Sequence, residues 1–217
     1  AGSIGLSHTG TPSNAYEIGN PIDVYVNNLP YDYEYCTDVG SGGIVATASD
    51  VAMFGSSFFT GSDSLISQEL VDEMELCWTD SDNEYLDGCG LGWDYVEMLQ
   101  YEQAGVQIVG KGGDVLTMHS QLMVAPENEI SVAVLSSGGS STYCMLMCEA
   151  LMNIALEEQG IEVQPLEPRE VEIIDDMPEE LEQYAGFYCC TFPMRGLAEV
   201  SFSDNGQMLL EITMFNR

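Results

Sequence analysis

The sequence predicts an α+β fold in which a C-terminal helix covers an antiparallel sheet and a short all-β segment follows. Apolar residues shift toward a period of two over residues 91–136, which is typical of half-buried strands. After Gly138-Gly139 the period changes to about 3.6 over residues 141–158, which indicates a helix. Residues 184–212 then return to strand-like segments around the turn sequence Asp204-Asn-Gly206.

Two helices are predicted before the sheet. Residues 1–47 are rich in Gly, Pro, Asn and Tyr and are expected to be irregular. Thr47 and Asp50 provide capping groups for a first helix, and Gly61 provides its stop. A second helix is expected from about Ser67 to Cys77, because apolar residues recur there at helical spacing.

Four strands are expected next, and they are Leu91–Val96, Val106–Val109, Thr117–Ala125 and Ile130–Ser136. The second strand should end at Gly110-Lys-Gly-Gly113, and Pro126-Glu-Asn-Glu129 should form the hairpin turn between the last two. The helix over 141–158 should pack across one face of this sheet. Its predicted face consists of Tyr143, Met147, Ala150, Leu151, Ile154 and Ala155.

Proline and charge suggest how the chain is divided. Residues 1–160 are expected to form one domain, and residues 161–178 a linker, since Pro165, Pro168 and Pro178 interrupt it. Residues 179–217 should begin a small all-β, barrel-like module.

Charge excludes several classes of partner. The 36 acidic and four basic residues give a formal charge of −32, which repels a nucleic-acid backbone and disfavours anionic lipid surfaces. No apolar run approaches the ~20 residues of a membrane span. Seven cysteines are an odd number, and the pairs Cys144/Cys148 and Cys189/Cys190 lack the spacing of a ready disulfide. No C-x-x-C motif supports zinc, and no metal or cofactor is indicated.

The single lysine, Lys111, is the leading candidate functional residue. It lies between Gly110 and Gly112-Gly113, where backbone can approach a ligand closely. A lysine at the end of a strand can donate and accept protons in a cleft. The alternative is an ion pair with one of the many acids, and the residues alone leave both open.

Two further patterns carry weaker functional signals. The acids Asp80, Asp82, Glu84 and Asp87 are spaced as in a calcium loop, but the glycine and the final glutamate of such a loop are missing. A solvated acidic loop is therefore expected. His119 alternates with its neighbours on a strand, which favours a packed or edge histidine over a catalytic base.

Five pieces of the sequence resemble, in order, segments of one known family. They are Gly5-Leu-Ser-His-Thr9, Gly40–Asp50 with Met53-Phe54, Gly90-Leu-Gly-Trp93, Gly110–Ser120, and Val124-Ala-Pro126 with Val132–Leu135. The family is that of the serine β-lactamase-related hydrolases, which includes penicillin-binding proteins and esterase-like members. The resemblance covers roughly residues 4–158 and implies part of a β-lactamase-like fold.

The resemblance also implies roles for four residues. Lys111 would lie beside the nucleophile and assist proton transfer. Gly113 would let the strand edge approach the substrate, and Gly112 beside it would also be a substrate-binding residue. The amide of Asp114 would be one oxyanion-hole donor, and loss of such a donor typically costs ~3 kcal/mol of barrier.

The sequence departs from the family pattern at four points. The family nucleophile lies in Ser-x-x-Lys, which this sequence lacks because Lys111 is its only lysine. The family's middle motif is Tyr-x-Asn in many members and should precede residue 4. Tyr25-Val-Asn27 matches its letters but follows the Gly5–Thr9 segment, so it is interpreted as coincidence. Gly112 replaces the usual Thr or Ser, and the carboxylate of Asp114 would oppose charge in an oxyanion hole unless it points away.

These inferences predict the C-terminal portion of a serine hydrolase that cleaves ester or amide bonds through an acyl-enzyme. Its substrate would be a small ester, amide or peptide, and its partner the missing N-terminal segment of the same protein. Without Ser-x-x-Lys, this chain alone is expected to be inactive. The resemblance favours a location outside the cytoplasm. The alternative is a non-catalytic binding protein that keeps the scaffold.

Overall fold

The computed structural model describes residues 5–8, 11–12, 23–26, 29–31, 42, 44–62, 65–79, 88–115, 118–167, 179–189, 197–203 and 208–213. The chain forms two compact units, Ala1–Leu166 and Glu167–Arg217. The domain and linker boundaries expected at residues 160 and 178 stay a prediction. In the described part of the chain, no helix combines the length and apolar character needed to cross a bilayer.

The first unit begins with short strands. They are β1 (Gly5–His8), β2 (Thr11–Pro12), β3 (Val24–Val26), β4 (Leu29–Tyr31) and β5 (Ile44–Val45). β1 pairs antiparallel with β2 and β5, and β3 pairs antiparallel with β4. The expectation that residues 1–47 are irregular is therefore wrong for these segments. Strands of two to four residues are too short to show a period in the sequence.

Two helices follow, close to their predicted positions. Helix α1 (Ala48–Ser56) begins after Thr47, whose Oγ1 accepts a hydrogen bond from the Asp50 amide at 3.2 Å. The Asp50 carboxylate accepts one from the Thr47 amide at 3.3 Å, which completes a capping box. Helix α2 (Gln68–Met74) begins after Ser67 and ends three residues before Cys77.

The central sheet contains β6 (Val109–Asp114), β7 (Met118–Ala125) and β8 (Ile130–Ser137) in antiparallel order. The predicted hairpin turn is confirmed, and Glu129 adopts the left-handed region there with φ of 54°. Gly138 and Gly139 end β8 with φ of 77° and 86°, a conformation that glycine adopts without strain.

Two strand predictions are wrong. Residues 91–96 contain one isolated bridge, Tyr95–Gly110, instead of a strand, and a second bridge, Gly88–Glu97, joins residues on either side of them. Gly92, with φ of 81°, turns the chain there. Strand β6 begins at Val109 and continues through the glycines, because β7 pairs with the whole segment. A Cβ on Gly110 would overlap the Tyr95 ring, so this glycine permits a close approach inside the strand.

Helix α4 (Ser141–Glu158), preceded by the short α3 (Leu99–Glu102), covers one face of the sheet as predicted. The buried residues of α4 are Cys144, Cys148, Met152 and Leu156. The predicted buried face is wrong, because Tyr143, Met147, Leu151 and Ile154 are exposed. Apolar residues surround most of α4, so the period alone could not identify the side that contacts the sheet.

The opposite face of the sheet contacts α1. Val109, Leu122 and Val124 lie on this face and pack in one cluster with Phe58 and Trp93. The ring centroids of Phe58 and Trp93 are 5.0 Å apart in an edge-to-face arrangement. The sheet is therefore buried from both sides near its centre.

The second unit contains a 3-10 helix at Glu179–Tyr184 and three strands, β9 (Gly186–Cys189), β10 (Leu197–Phe202) and β11 (Met208–Thr213). The strands pair antiparallel in the order β11-β10-β9, and they lie in the region where strand-like segments were predicted. The predicted turn at 204–206 lies outside the described residues. In the described part of this unit the sheet is open, not a closed barrel.

Candidate functional site

Lys111 lies in the middle of β6, not at its end as predicted. It is opposite Leu122 in the sheet register, so its side chain belongs to the face that contacts α1, away from α4. Half of the side chain is exposed, and Nζ lies 3.0 Å from Asp94 Oδ2. Nζ also donates to the carbonyl of Gly112 at 2.6 Å. The ion pair that the sequence left open is therefore present, at an accessible position.

The carboxylate of Asp94 joins Lys111 to the strand edge. Its Oδ2 accepts hydrogen bonds from Lys111 Nζ at 3.0 Å and from the Gly112 amide at 2.7 Å. The Gly110 amide donates to the carbonyl of Tyr95 at 3.0 Å on the same edge. Sequence reasoning missed Asp94, although it directly follows the quoted Gly90-Leu-Gly-Trp93 segment.

Every second backbone amide of β6 points toward this edge of the strand. In a strand, the amides of residues two apart point to the same side. The Gly110 and Gly112 amides point away from β7, and the Asp114 amide follows in the same alternation. Within the described ranges no strand pairs with residues 111–114 on that side. The Asp114 amide therefore points to a side of β6 that no described strand covers.

The carboxylate of Asp114 is directed elsewhere. Its Oδ1 lies 2.5 Å from His119 Nδ1, and its Oδ2 accepts a hydrogen bond from Ser141 Oγ at 3.1 Å. His119 is 8% exposed, as expected for a packed histidine. Ser141 is the first residue of α4, so the carboxylate is held on the α4 face of the sheet. The negative charge of Asp114 is therefore directed away from the edge at which the resemblance places an oxyanion.

The two glycines of the motif lie close to polar side chains. A Cβ on Gly113 would overlap Ser120 Oγ, and one on Gly112 would lie 3.3 Å from Gln121 Oε1. Gln121 is buried, and its Nε2 donates to the hydroxyl of Tyr95 at 2.7 Å. A side chain at Gly113 would therefore displace the Ser120 hydroxyl, and one at Gly112 would need only a small shift of Gln121.

A separate surface pocket of about 420 Å³ lies next to the end of α2. It is lined by Glu75, Leu76, Cys77, Val96, Glu97, Glu102, Gly105, Val106 and Gln107. Burial raises the pKa of Glu75 from 4.5 to about 7, and Asp72 and Glu127 add to the effect. Across the described residues, no group of three or more His, Cys, Asp or Glu side chains could hold a metal ion. The acidic segment 80–87 lies outside those residues.

Comparison with known proteins supports one family. The Beta-lactamase family model matches residues 3–153. No curated protein is significantly similar to the chain in sequence. The crystal structure of SurE superposes with a TM-score of 0.57 at 18% identity, covering 88% of this chain and 43% of SurE. The structure of SurE with D-Leu gives 0.58 at 18% identity, covering 97% and 46%. The chain thus spans less than half the length of these structures, and the likeness concerns the fold.

Proposed function

This chain belongs to the beta-lactamase family, and from that membership we propose that it provides the strand-edge side of a serine-hydrolase site cleaving esters or amides through an acyl-enzyme. The observation that carries the proposal is the edge of β6. There the Lys111 amine is exposed, and the Asp114 amide follows it on a side that no described strand covers.

Each of the two groups has a distinct chemical role. The amine of Lys111, which is paired with Asp94, assists proton transfer beside the nucleophile. The Asp114 amide donates to the oxygen of the attacked carbonyl as negative charge develops. A donor of this kind typically contributes about 3 kcal/mol, or a hundredfold in rate. Ser141 and His119 keep the carboxylate of Asp114 away from that oxygen.

The nucleophile comes from a Ser-x-x-Lys segment outside this sequence. Lys111 is the only lysine here, and Ile108, not a serine, stands three residues before it. A serine hydroxyl without an adjacent base is a weak nucleophile. The coverage of less than half of SurE is compatible with a preceding segment that completes the site.

The substrate is a carbonyl compound without a negative charge near the scissile bond. Asp94 already occupies the Lys111 amine and the Gly112 amide, the two groups that could receive a substrate carboxylate. Gly112 has no hydroxyl to add to such an interaction. The overall charge further disfavours anions.

A second candidate function is supported by one observation, the missing Ser-x-x-Lys. In that case the protein uses the same scaffold to bind a ligand without cleaving it. The two functions differ in whether the ligand is cleaved.

The experiment uses this chain joined to its preceding Ser-x-x-Lys segment, with a neutral aryl ester and D-leucine methyl ester as substrates. The D-leucine ester is chosen because SurE was crystallised with D-Leu. Lys111→Ala should lower kcat by about 10²–10⁴, the range for loss of an acid–base group. Asp94→Asn keeps a group that can bond the Gly112 amide and should improve cleavage of carboxylate-bearing esters. Full turnover in Lys111→Ala would contradict the role proposed for Lys111, whereas ligand binding without turnover in the unchanged protein would favour the binding protein.

A further inference from the structure

Two exposed cysteines, Cys77 and Cys89, lie on segments that contact each other. Both carry free thiols. The Trp78 amide donates to the carbonyl of Cys89 at 2.8 Å, and Thr79 Oγ1 accepts from the Cys89 amide at 2.5 Å. Backbones joined in this way are as close as neighbouring strands, which is the range that a disulfide can bridge.

The side chain of Cys77 is directed toward the second segment. A Cβ on Gly88, the residue before Cys89, would overlap Cys77 Sγ and lie 3.2 Å from Cys77 Cβ. Thr79 Oγ1, which binds the Cys89 amide, is 3.9 Å from Cys77 Sγ. The Cys77 thiol thus lies against Gly88, one residue before Cys89.

The thiol of Cys89 is held by one weak interaction. Its Sγ donates to the carbonyl of Asp94 at 3.2 Å. A sulfhydryl is a poor donor, so a rotation about the Cα–Cβ bond of Cys89 would break this hydrogen bond at little cost.

We propose that Cys77 and Cys89 are a redox-active pair that forms an internal disulfide when the protein meets a low-molecular-weight disulfide such as oxidised glutathione. The bond would close a covalent ring of residues 77–89, which includes the acidic segment 80–87. The proposal is independent of the hydrolase function, because it requires only the two thiols and their contact.

The reaction proceeds by two thiol–disulfide exchanges. One cysteine, as thiolate, attacks a sulfur of glutathione disulfide, so that a mixed disulfide forms and one glutathione thiolate leaves and takes up a proton. The other cysteine thiolate then attacks the protein sulfur of the mixed disulfide and releases the second glutathione. The two protein thiols lose two electrons and two protons in total, and glutathione disulfide is reduced to two thiols.

The test is mass spectrometry of the whole chain after incubation with oxidised glutathione. The expected product has lost two hydrogens and carries no glutathione, and dithiothreitol reverses the change. Cleavage after Glu75, Glu84 and Glu97 should then release peptides 76–84 and 85–97 as one disulfide-linked species.

Matched variants identify the pair. Cys77→Ser and Cys89→Ser should each abolish the linked species and leave a single glutathione on the remaining cysteine. Cys144→Ser, which removes a buried thiol, should leave the linkage unchanged. In concentrated urea the preference for this pair should disappear. The proposal is overturned if the folded wild-type chain carries glutathione on both Cys77 and Cys89, or links either of them mainly to another cysteine.

Discussion

The packing of α4 can be tested by comparing two leucines on opposite sides of the helix. Leu156 is 0% exposed, whereas Leu151 is 46% exposed. Leu156→Ala removes a fully buried side chain and leaves a cavity, so it should lower the free energy of unfolding by about 3 kcal/mol. Leu151→Ala removes a side chain that is already half in water and should cost about 1 kcal/mol or less. Both substitutions replace leucine by alanine in the same helix, so they change helix propensity alike. The difference between the two losses of stability therefore reports the packing.

Urea unfolding followed by tryptophan fluorescence provides the measurement. The protein has two tryptophans, Trp78 and Trp93, and both belong to the first compact unit, so the signal reports the unit that contains α4. The slope of the unfolding free energy against urea concentration should be alike in the two variants, and the midpoints of their unfolding transitions should differ. If Leu151→Ala lowered stability more than Leu156→Ala, the helix would contact the sheet through the side that the sequence pattern first indicated, and equal losses would contradict the difference in burial.

Three further predictions follow from single contacts. Because the pKa of Glu75 is raised from 4.5 to about 7, its charged form destabilises the fold. Stability should therefore rise as the pH falls from 7 toward 4.5, and Glu75→Gln should remove that dependence and add about 1 kcal/mol at neutral pH, allowing for screening by solvent. Gly110→Ala should cost about 1–3 kcal/mol in thermal unfolding, because the new methyl overlaps the Tyr95 ring, and Gly112→Ala should cost less. Burial raises the pKa of Cys148 to about 12, so iodoacetamide at mildly alkaline pH should label it only after unfolding; rapid labelling of the folded chain would refute its burial.

Local signals predicted the parts of the fold that depend on neighbouring residues. Thr47 and Asp50 form the capping box indicated by their spacing, and the bounds of α4 agree with the change of period at Gly138. The buried face of α4 could not be predicted, because that choice depends on contacts with the sheet. The Leu91–Val96 segment likewise has the composition of a strand, but Gly92 turns the chain.

The candidate site was predicted only in part, for a similar reason. Lys111 stood out as the single lysine beside three glycines, and the family resemblance identified Asp114. The partner of Lys111 is 17 residues away, and Ser141 is 27 residues from Asp114. No local pattern reports such contacts. Asp94, His119 and Ser141 therefore gained their proposed roles only from the fold.

The measurement that tests the central claim most directly is covalent labelling of this chain with a serine-reactive fluorophosphonate, read by intact mass. The proposed site takes its nucleophile from a Ser-x-x-Lys segment that this sequence lacks, so no stoichiometric adduct is expected. The same chain joined to that segment should gain one adduct on the motif serine, and Lys111→Ala should slow its formation. Stoichiometric labelling of one serine in the chain alone, lost in Lys111→Ala, would show that the nucleophile lies within these 217 residues.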